Sequence, residues 1–580
     1  MRALSSFGAI ALAALALACG SGAANAPAGS SPSPTLSPSE VTVDQARAFL
    51  ERYNADFERL EGALTAAYWK ASNSGAEADF ADFAAADLAL RTYHSDGARY
   101  AELKALLATR GAQDPLSARS LELAELAYRG NQLPPELLAD MVRRSTAIEQ
   151  IFNTYRVKLG DAEFSNNDLL ERLRGEKDSA AREAIWKGLK DVGGVVGPDL
   201  VALAKVRNTA ARAIGYPNFW EMQIRLQEHD PALVLALFAE LEQRTDAPFR
   251  AMKAELDAEI GARLGLCPAE LKPWHYDNPF FQAPPPSAAV DPDIFYDARA
   301  KEDLVERALR FYADIGLPMD DLAARSDFYE RPGKDQHAFC ISMNRADDVR
   351  MLLNIKPTQE WMDTMLHESG HAIYSKYIDR DLPFNVRDSA HILTTEGIAM
   401  LFGALAKNPT WLVGYAGADP RLAAEKTPAL LEQRRREQLI FARWAMVMLH
   451  FERALYEDPD QDLDALWYTT VARFQLLTPP TDRAGRNDWA AKPHFTMAPV
   501  YYHNYLLGEL FGAQLRAMLA GLAKHQGPAS SLSFNGRKDF GAALIEKVFR
   551  PGMREPWPAF VEHATGHPLS AEAFAREVTK

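Results

Sequence analysis

The sequence predicts a mainly α-helical protein of many helices with one small β-sheet. Long segments rich in Ala, Leu, Glu and Arg run through residues 80–260, broken by short Gly, Pro and Asn turns. Apolar side chains recur at helical spacing early in the folded part, at Leu50, Tyr53, Phe57, Leu60 and Leu64. Strand signals are scarce, Met351 to Ile355 being the best short candidate, and no fixed repeat period is present.

At 580 residues, length alone suggests several domains. A hydrophobic share of 47% and a charged share of 24% fit a globular protein with a large core. The net charge of −14 and the absence of any run of five Lys or Arg argue against nucleic acid or an anionic membrane surface as partner. The three cysteines, Cys19, Cys267 and Cys340, are too few for a disulfide scaffold. Cys267 and Cys340 form at most one bridge, and neither belongs to a CxxC pair of the kind that binds zinc.

In chain order, the N-terminus reads as a targeting segment. Arg2 supplies positive charge, and Phe7 to Ala18 is an apolar run too short to span a bilayer. It ends Leu15-Ala16-Leu17-Ala18-Cys19, small residues before a cysteine. Residues 1–18 therefore read as a lipoprotein-type signal peptide with Cys19 lipidated. An ordinary cleaved signal peptide competes, because Leu stands at −2 rather than −3. Residues 19–40 are dominated by Gly, Ala, Ser and Pro, and Pro27, Pro32, Pro34 and Pro38 break any helix, so this stretch reads as a disordered tether. The expectation is export to a bacterial cell envelope, as a periplasmic or outer-membrane protein anchored only through Cys19.

The folded part begins near Thr42, which with Gln45 makes a capping box. Residues 268–293 are proline-rich, and read either as a domain linker or, given their aromatic side chains, as an ordered loop. His337, ahead of the apolar run at 351–355, reads by default as a buried structural histidine. A helix then starts at Pro357-Thr358 and ends by Asp381 and Pro383. Met362, Leu366, Ile373 and Tyr377 can face its core side.

This helix carries His367-Glu368-Ser369-Gly370-His371, the pattern HExxH. Histidines at i and i+4 lie one turn apart on one face and can grip one metal ion, with Glu368 beside them as a base for a metal-activated water. A polar surface helix is the alternative. Glu396, 25 residues after His371, opens a second apolar helix after the Asp381-Leu382-Pro383 turn, and its carboxylate completes a two-His, one-Glu set. Catalytic zinc takes three protein ligands and keeps one open position. Serving the helix dipole is the other reading of Glu396. Gly370 inside a helix costs about 1 kcal/mol relative to Ala, which calls for a packing or access reason. Further on, Tyr502 and Tyr505 share a helix face, where an aromatic core stripe is the simplest reading.

His367 to His371, the Asp381-Leu382-Pro383 turn and Glu396 together resemble the angiotensin-converting-enzyme family of zinc peptidyl-dipeptidases, within the gluzincin class. The His337-Ala338 pair, Lys492 with His494, Tyr502 with Tyr505, and Pro556-Trp557-Pro558 extend the resemblance over most of residues 45–580. It implies one ellipsoidal, multi-helix peptidase domain over residues 41–580 with a deep central channel. One Zn²⁺ would be held by His367, His371 and Glu396, with Glu368 as general base. His494 and Tyr505 would stabilise the oxyanion. His337 and Ala338 would align the substrate backbone, and Lys492 and Tyr502 would bind the C-terminal carboxylate of an oligopeptide.

Some features depart from the family. His494 and Tyr505 are 11 residues apart, one more than the family spacing, so Tyr501 competes with Tyr502. Asn504 stands where animal members carry a chloride-binding arginine, which makes chloride activation doubtful. Met400 replaces an acidic residue near the zinc. The carboxylate-binding glutamine has no clear match, its region aligning loosely with Trp274 to Asp277. The expected activity is release of dipeptides from peptide C-termini. A thimet-type zinc oligopeptidase and a silent, lipid-anchored peptide-binding protein are the alternatives.

Overall fold

Four helices at the start of the chain, Val43–Ser74, Glu77–Ser95, Gly97–Leu106 and Pro115–Gly130, form a layer with small apolar clusters of its own. The computed structural model describes residues 42–287, 289–296 and 300–579, so the signal-peptide and tether readings, with Cys19, lie outside the described residues. The first helix opens on the expected capping box: the Thr42 side chain accepts from Gln45 N at 3.2 Å, and Thr42 N donates to the Gln45 side chain at 2.8 Å. Polar contacts tie this layer to the body. Arg119 donates to the Glu228 carboxylate and to Met553 O, Arg345 clasps Glu61 with two bonds of 2.6 Å, and Ser120 exchanges hydrogen bonds with Asn385.

One large apolar core draws buried side chains from Leu123 to Val578, with smaller clusters around Leu169 and Phe339 beside it. The described residues are overwhelmingly helical, and their two sheets are antiparallel hairpins where the sequence suggests one. β1 (Val157–Leu159) pairs with β2 (Ala162–Phe164), and β3 (Phe339–Ser342) pairs with β4 (Val349–Leu352). The candidate strand at 351–355 is shifted because the chain changes partner after Leu352. Leu353 N and Ile355 N donate to Asp327 O and Phe328 O instead.

The proline-rich stretch is an ordered loop, not a linker. Trp274, His275, Tyr276 and Phe281 are buried, and Arg182 and Arg263 converge on the buried Asp277 carboxylate. Cys267 and Cys340 remain unbridged. No helix among the described residues is long and apolar enough to cross a membrane.

Three helices position the centre of the molecule: the HExxH helix (Gln359–Tyr377), the Glu396 helix (Ile392–Gly403) and a supporting helix (His503–Leu522). The first starts at the predicted Thr358, whose side chain accepts from Trp361 N, and ends at Tyr377, before Asp381. Met362, Leu366 and Ile373 are buried as expected, but so is every residue from Met365 to Tyr374. The helices meet on glycine. A Cβ on Gly370 would sit 3.0 Å from Ala399 Cα, and one on Gly397 would sit 2.9 Å from Gly508 O and 2.7 Å from the Phe511 ring. Gly508 faces the Glu396 Cβ, and Gly512 faces Gly397 O. This close approach is the packing reason for Gly370.

Candidate active site

The polar-surface reading of HExxH fails on burial: His367 is 7%, Glu368 0% and His371 5% exposed. Glu396 is buried too, on the far side of the Asp381-Leu382-Pro383 turn, and does more than serve a helix end. One ligand atom from each of His367, His371 and Glu396 lies within 4.8 Å of the others, and His367 Nε2 stands 3.8 Å from Glu396 Oε2. Two imidazoles and a carboxylate converging at that separation fit a zinc ion bound at about 2.0–2.2 Å from each. His371 Nδ1 lies 2.6 Å from Thr395 Oγ1, so an Nδ1–H donated to that hydroxyl leaves Nε2 bare for a metal. This hydroxyl provides orientation for the His371 ring.

Electrostatics agree with the geometry. Burial, and then the neighbouring Glu396, push the Glu368 carboxyl well above the usual carboxylate range. Burial and the His367 ring push the His371 imidazole far down, favouring the neutral form a metal needs. A cleft lined by Asp363, Met400, Glu437 and Glu509 opens beside His367.

The tyrosines sort themselves by partner. The Tyr501 hydroxyl lies 3.5 Å from Glu396 Oε1, whereas the Tyr502 hydroxyl accepts from Trp444 Nε1 at 2.7 Å. Tyr505 lies edge-on to both, at 5.2 and 5.4 Å between ring centres. The His494 ring sits 5.1 Å from Tyr502. Tyr501 follows Val500, a β-branched residue at φ +55°, a strained conformation for such a side chain. Val500 N donates to the buried Glu452 and Val500 O accepts from Gln227, so polar side chains hold the strained unit from both ends.

Lys492 is buried among Phe280, Trp444 and Tyr502 and donates to Gln282 Oε1 at 2.8 Å. Burial lowers its ammonium to about 7. Gln282 is the amide that sequence reading passes over. It lies six residues beyond Tyr276, in the proline-rich loop, and only the fold brings it across to Lys492. His337 departs from its default reading: it is exposed, not buried, and Asp335 holds its imidazolium above the ordinary value through a hydrogen bond. Ala338 is buried at the entry to β3, the strand beside the HExxH helix.

Comparison with known proteins points the same way. A family model described as angiotensin-converting enzyme matches residues 40–253 and 279–576, passing over part of the proline-rich region. Carboxypeptidase 1 of Bacillus subtilis (strain 168) is 25% identical over 306 residues, a match covering 48% of this chain and 58% of that protein. The chain thus spans less than two thirds of that relative's length.

Proposed function

The chain belongs to the angiotensin-converting-enzyme family of peptidases, and from that premise we propose that it is a zinc peptidyl-dipeptidase acting on oligopeptides with free C-termini. The observation that carries this reading is the buried convergence of His367, His371 and Glu396, with Glu368 between the histidines in sequence and Lys492 set apart as a cation for a peptide end.

Zinc, held by those three side chains, would supply a Lewis acid and a water acidic enough to attack near neutral pH. The rest falls to the chain. Glu368 takes a proton from the attacking water and returns it to the leaving amine. A tyrosine hydroxyl, from Tyr505 or Tyr501, together with His494, donates to the developing oxyanion; losing one such donor typically costs about 3 kcal/mol. The proximity of Tyr501 to Glu396 makes it a second candidate beside Tyr505. Ala338, on the approach to β3, offers backbone to an extended peptide, and the exposed His337 stands at the same place. Lys492 and Gln282 receive the terminal carboxylate, and Tyr502, turned toward Trp444, packs beside Lys492. Delivery to the cell envelope through a lipidated Cys19 remains part of the proposal.

Product mapping tests it. A defined peptide with a free C-terminus should yield C-terminal dipeptides, stop reacting under a chelator, and recover with zinc. Glu368→Gln should bind zinc and lose nearly all turnover. Cuts several residues from the end would favour a thimet-type oligopeptidase, and lack of stoichiometric zinc would favour a silent peptide-binding protein.

A further inference from the structure

His494 and the candidate tyrosines sit on one short stretch of chain, and two buried charged side chains hold that stretch from beneath. His494–Met497 is a single helical turn that ends at Ala498, where φ is −139°. Its last carbonyls need partners from elsewhere. Pro499 has no N–H to offer Phe495 O, and the Val500 amide, which could return to Thr496 O, donates to Glu452 at 2.8 Å instead. Arg207, on the helix Ser179–Ala213, takes both orphans: its guanidinium donates to Phe495 O at 2.6 Å and to Thr496 O at 2.8 Å. It also donates to the Tyr456 hydroxyl at 2.9 Å. Tyr456 lies one turn beyond Glu452 on the helix Pro420–Glu457, and its carbonyl accepts from Asn208, the neighbour of Arg207. The two helices are thus tied together under the segment they support.

Arg207 and Glu452 are 1% and 4% exposed, too deep to touch a substrate. Their bonds end one residue from the groups that would. Phe495 follows His494, and Val500, held at φ +55°, precedes Tyr501. We propose that Arg207 and Glu452 are positioning residues for the oxyanion donors: Arg207 fixes the turn behind His494, Glu452 fixes the left-handed residue ahead of the tyrosines, and together they set the gap between imidazole and phenol. This rests on the reading of His494 and a tyrosine as those donors. Lys492 is secured separately, by its amide on Trp489 O and its ammonium on Gln282, so carboxylate binding does not depend on the pair. Burial pushes the Glu452 carboxyl up to about 8. At neutral pH it is the uncharged acid, and its carbonyl oxygen takes the Val500 bond as an amide oxygen would.

The test uses zinc-loaded full-length protein, one peptide with a free C-terminus, its product dipeptide, and a phosphinic analogue of the same peptide whose tetrahedral centre mimics the oxyanion. Arg207→Met and Glu452→Leu should each lower kcat by about 10–100-fold, the scale of a displaced or lost donor. Affinity for the phosphinic analogue should fall in proportion to kcat/KM, whereas affinity for the dipeptide should stay within about threefold. Glu452→Gln, which keeps the acceptor for Val500, should recover most of the loss. Arg207→Lys keeps the buried charge but reaches fewer carbonyls; it should show the same split at smaller size, and it carries the test should the methionine variant not fold. Equal losses of analogue and dipeptide affinity, an unchanged kcat, or a Glu452→Gln as impaired as Glu452→Leu would each overturn the inference and leave the pair as supports of the fold. A wild type that cleaves the peptide yet binds the analogue no better than the dipeptide overturns the donor reading beneath it; a wild type that cleaves nothing overturns the peptidase reading as well.

Discussion

Replacing Thr395 by Val separates metal affinity from fold stability. The two side chains have nearly the same shape, but the change removes the oxygen 2.6 Å from His371 Nδ1. Thr395 is buried, at 7% exposed, so no bulk water replaces it. An Nδ1–H left without an acceptor costs about 1–3 kcal/mol, and the ring is then free to carry its proton on Nε2, where it blocks the metal. Loss of such a supporting contact typically weakens metal binding 10–100-fold, which is about 1.4–2.8 kcal/mol at about 1.4 kcal/mol per decade. The two routes to the magnitude agree. The assay is competition for zinc against a chromophoric chelator at fixed pH, with Thr395→Ser as the hydroxyl-retaining control and thermal melting of the metal-free protein as the fold control. The valine variant should lose one to two decades of affinity, and the serine variant should stay within a few-fold. Zinc affinity for Thr395→Val within twofold of wild type would refute the argument, because His371 would then be oriented without Thr395.

Two further outcomes follow. Gly397→Ala forces a methyl to within 2.9 Å of Gly508 O and should destabilise the fold by about 1–3 kcal/mol in urea denaturation. Gly521→Ala, on the supporting helix with nothing within 4 Å of its new Cβ, should be neutral or mildly stabilising; equal effects at both sites would rule out the close-contact account. Lys492 gives a pH dependence whose sign is fixed. Burial lowers its ammonium to about 7, and a terminal carboxylate binds the charged form, so kcat/KM for free peptides should fall as pH rises through about 7. A C-terminally amidated peptide should lack that descending limb, and superimposable profiles would remove Lys492 from carboxylate binding.

The convergence of the candidate metal ligands was the legible part of the sequence because its spacing is local. HExxH places two histidines one helical turn apart, and Glu396 follows after a turn that Asp381-Leu382-Pro383 announces. The Thr42 cap was equally readable, since both partners lie within one turn. Contacts closed by distant chain were not. Gln282 reaches Lys492 across 210 residues, Lys190 reaches Phe280 from another helix, and nothing in their neighbours' periodicity marks either. The left-handed Val500, which aims Tyr501, is invisible to propensity because Gln227 and Glu452 impose it from outside the segment. The strand at 351–355 was misplaced for a related reason: backbone donors beyond Leu352 answer to a remote loop.

The glycine contacts under Glu396 bring backbone close to backbone, with the Phe511 ring packed against Gly397. Glu396, the proposed third metal ligand, is therefore geared to the supporting helix and shifts with it. The N-terminal layer is attached differently, by side-chain contacts: the ion pair of Arg345 with Glu61, the hydrogen bonds of Ser120 with Asn385, and ring contacts such as Phe57 with Phe384. One part of the molecule is thus a fixed anvil, and the other is fastened by side-chain clasps. Breathing that admits a peptide should loosen the clasps long before it disturbs the anvil.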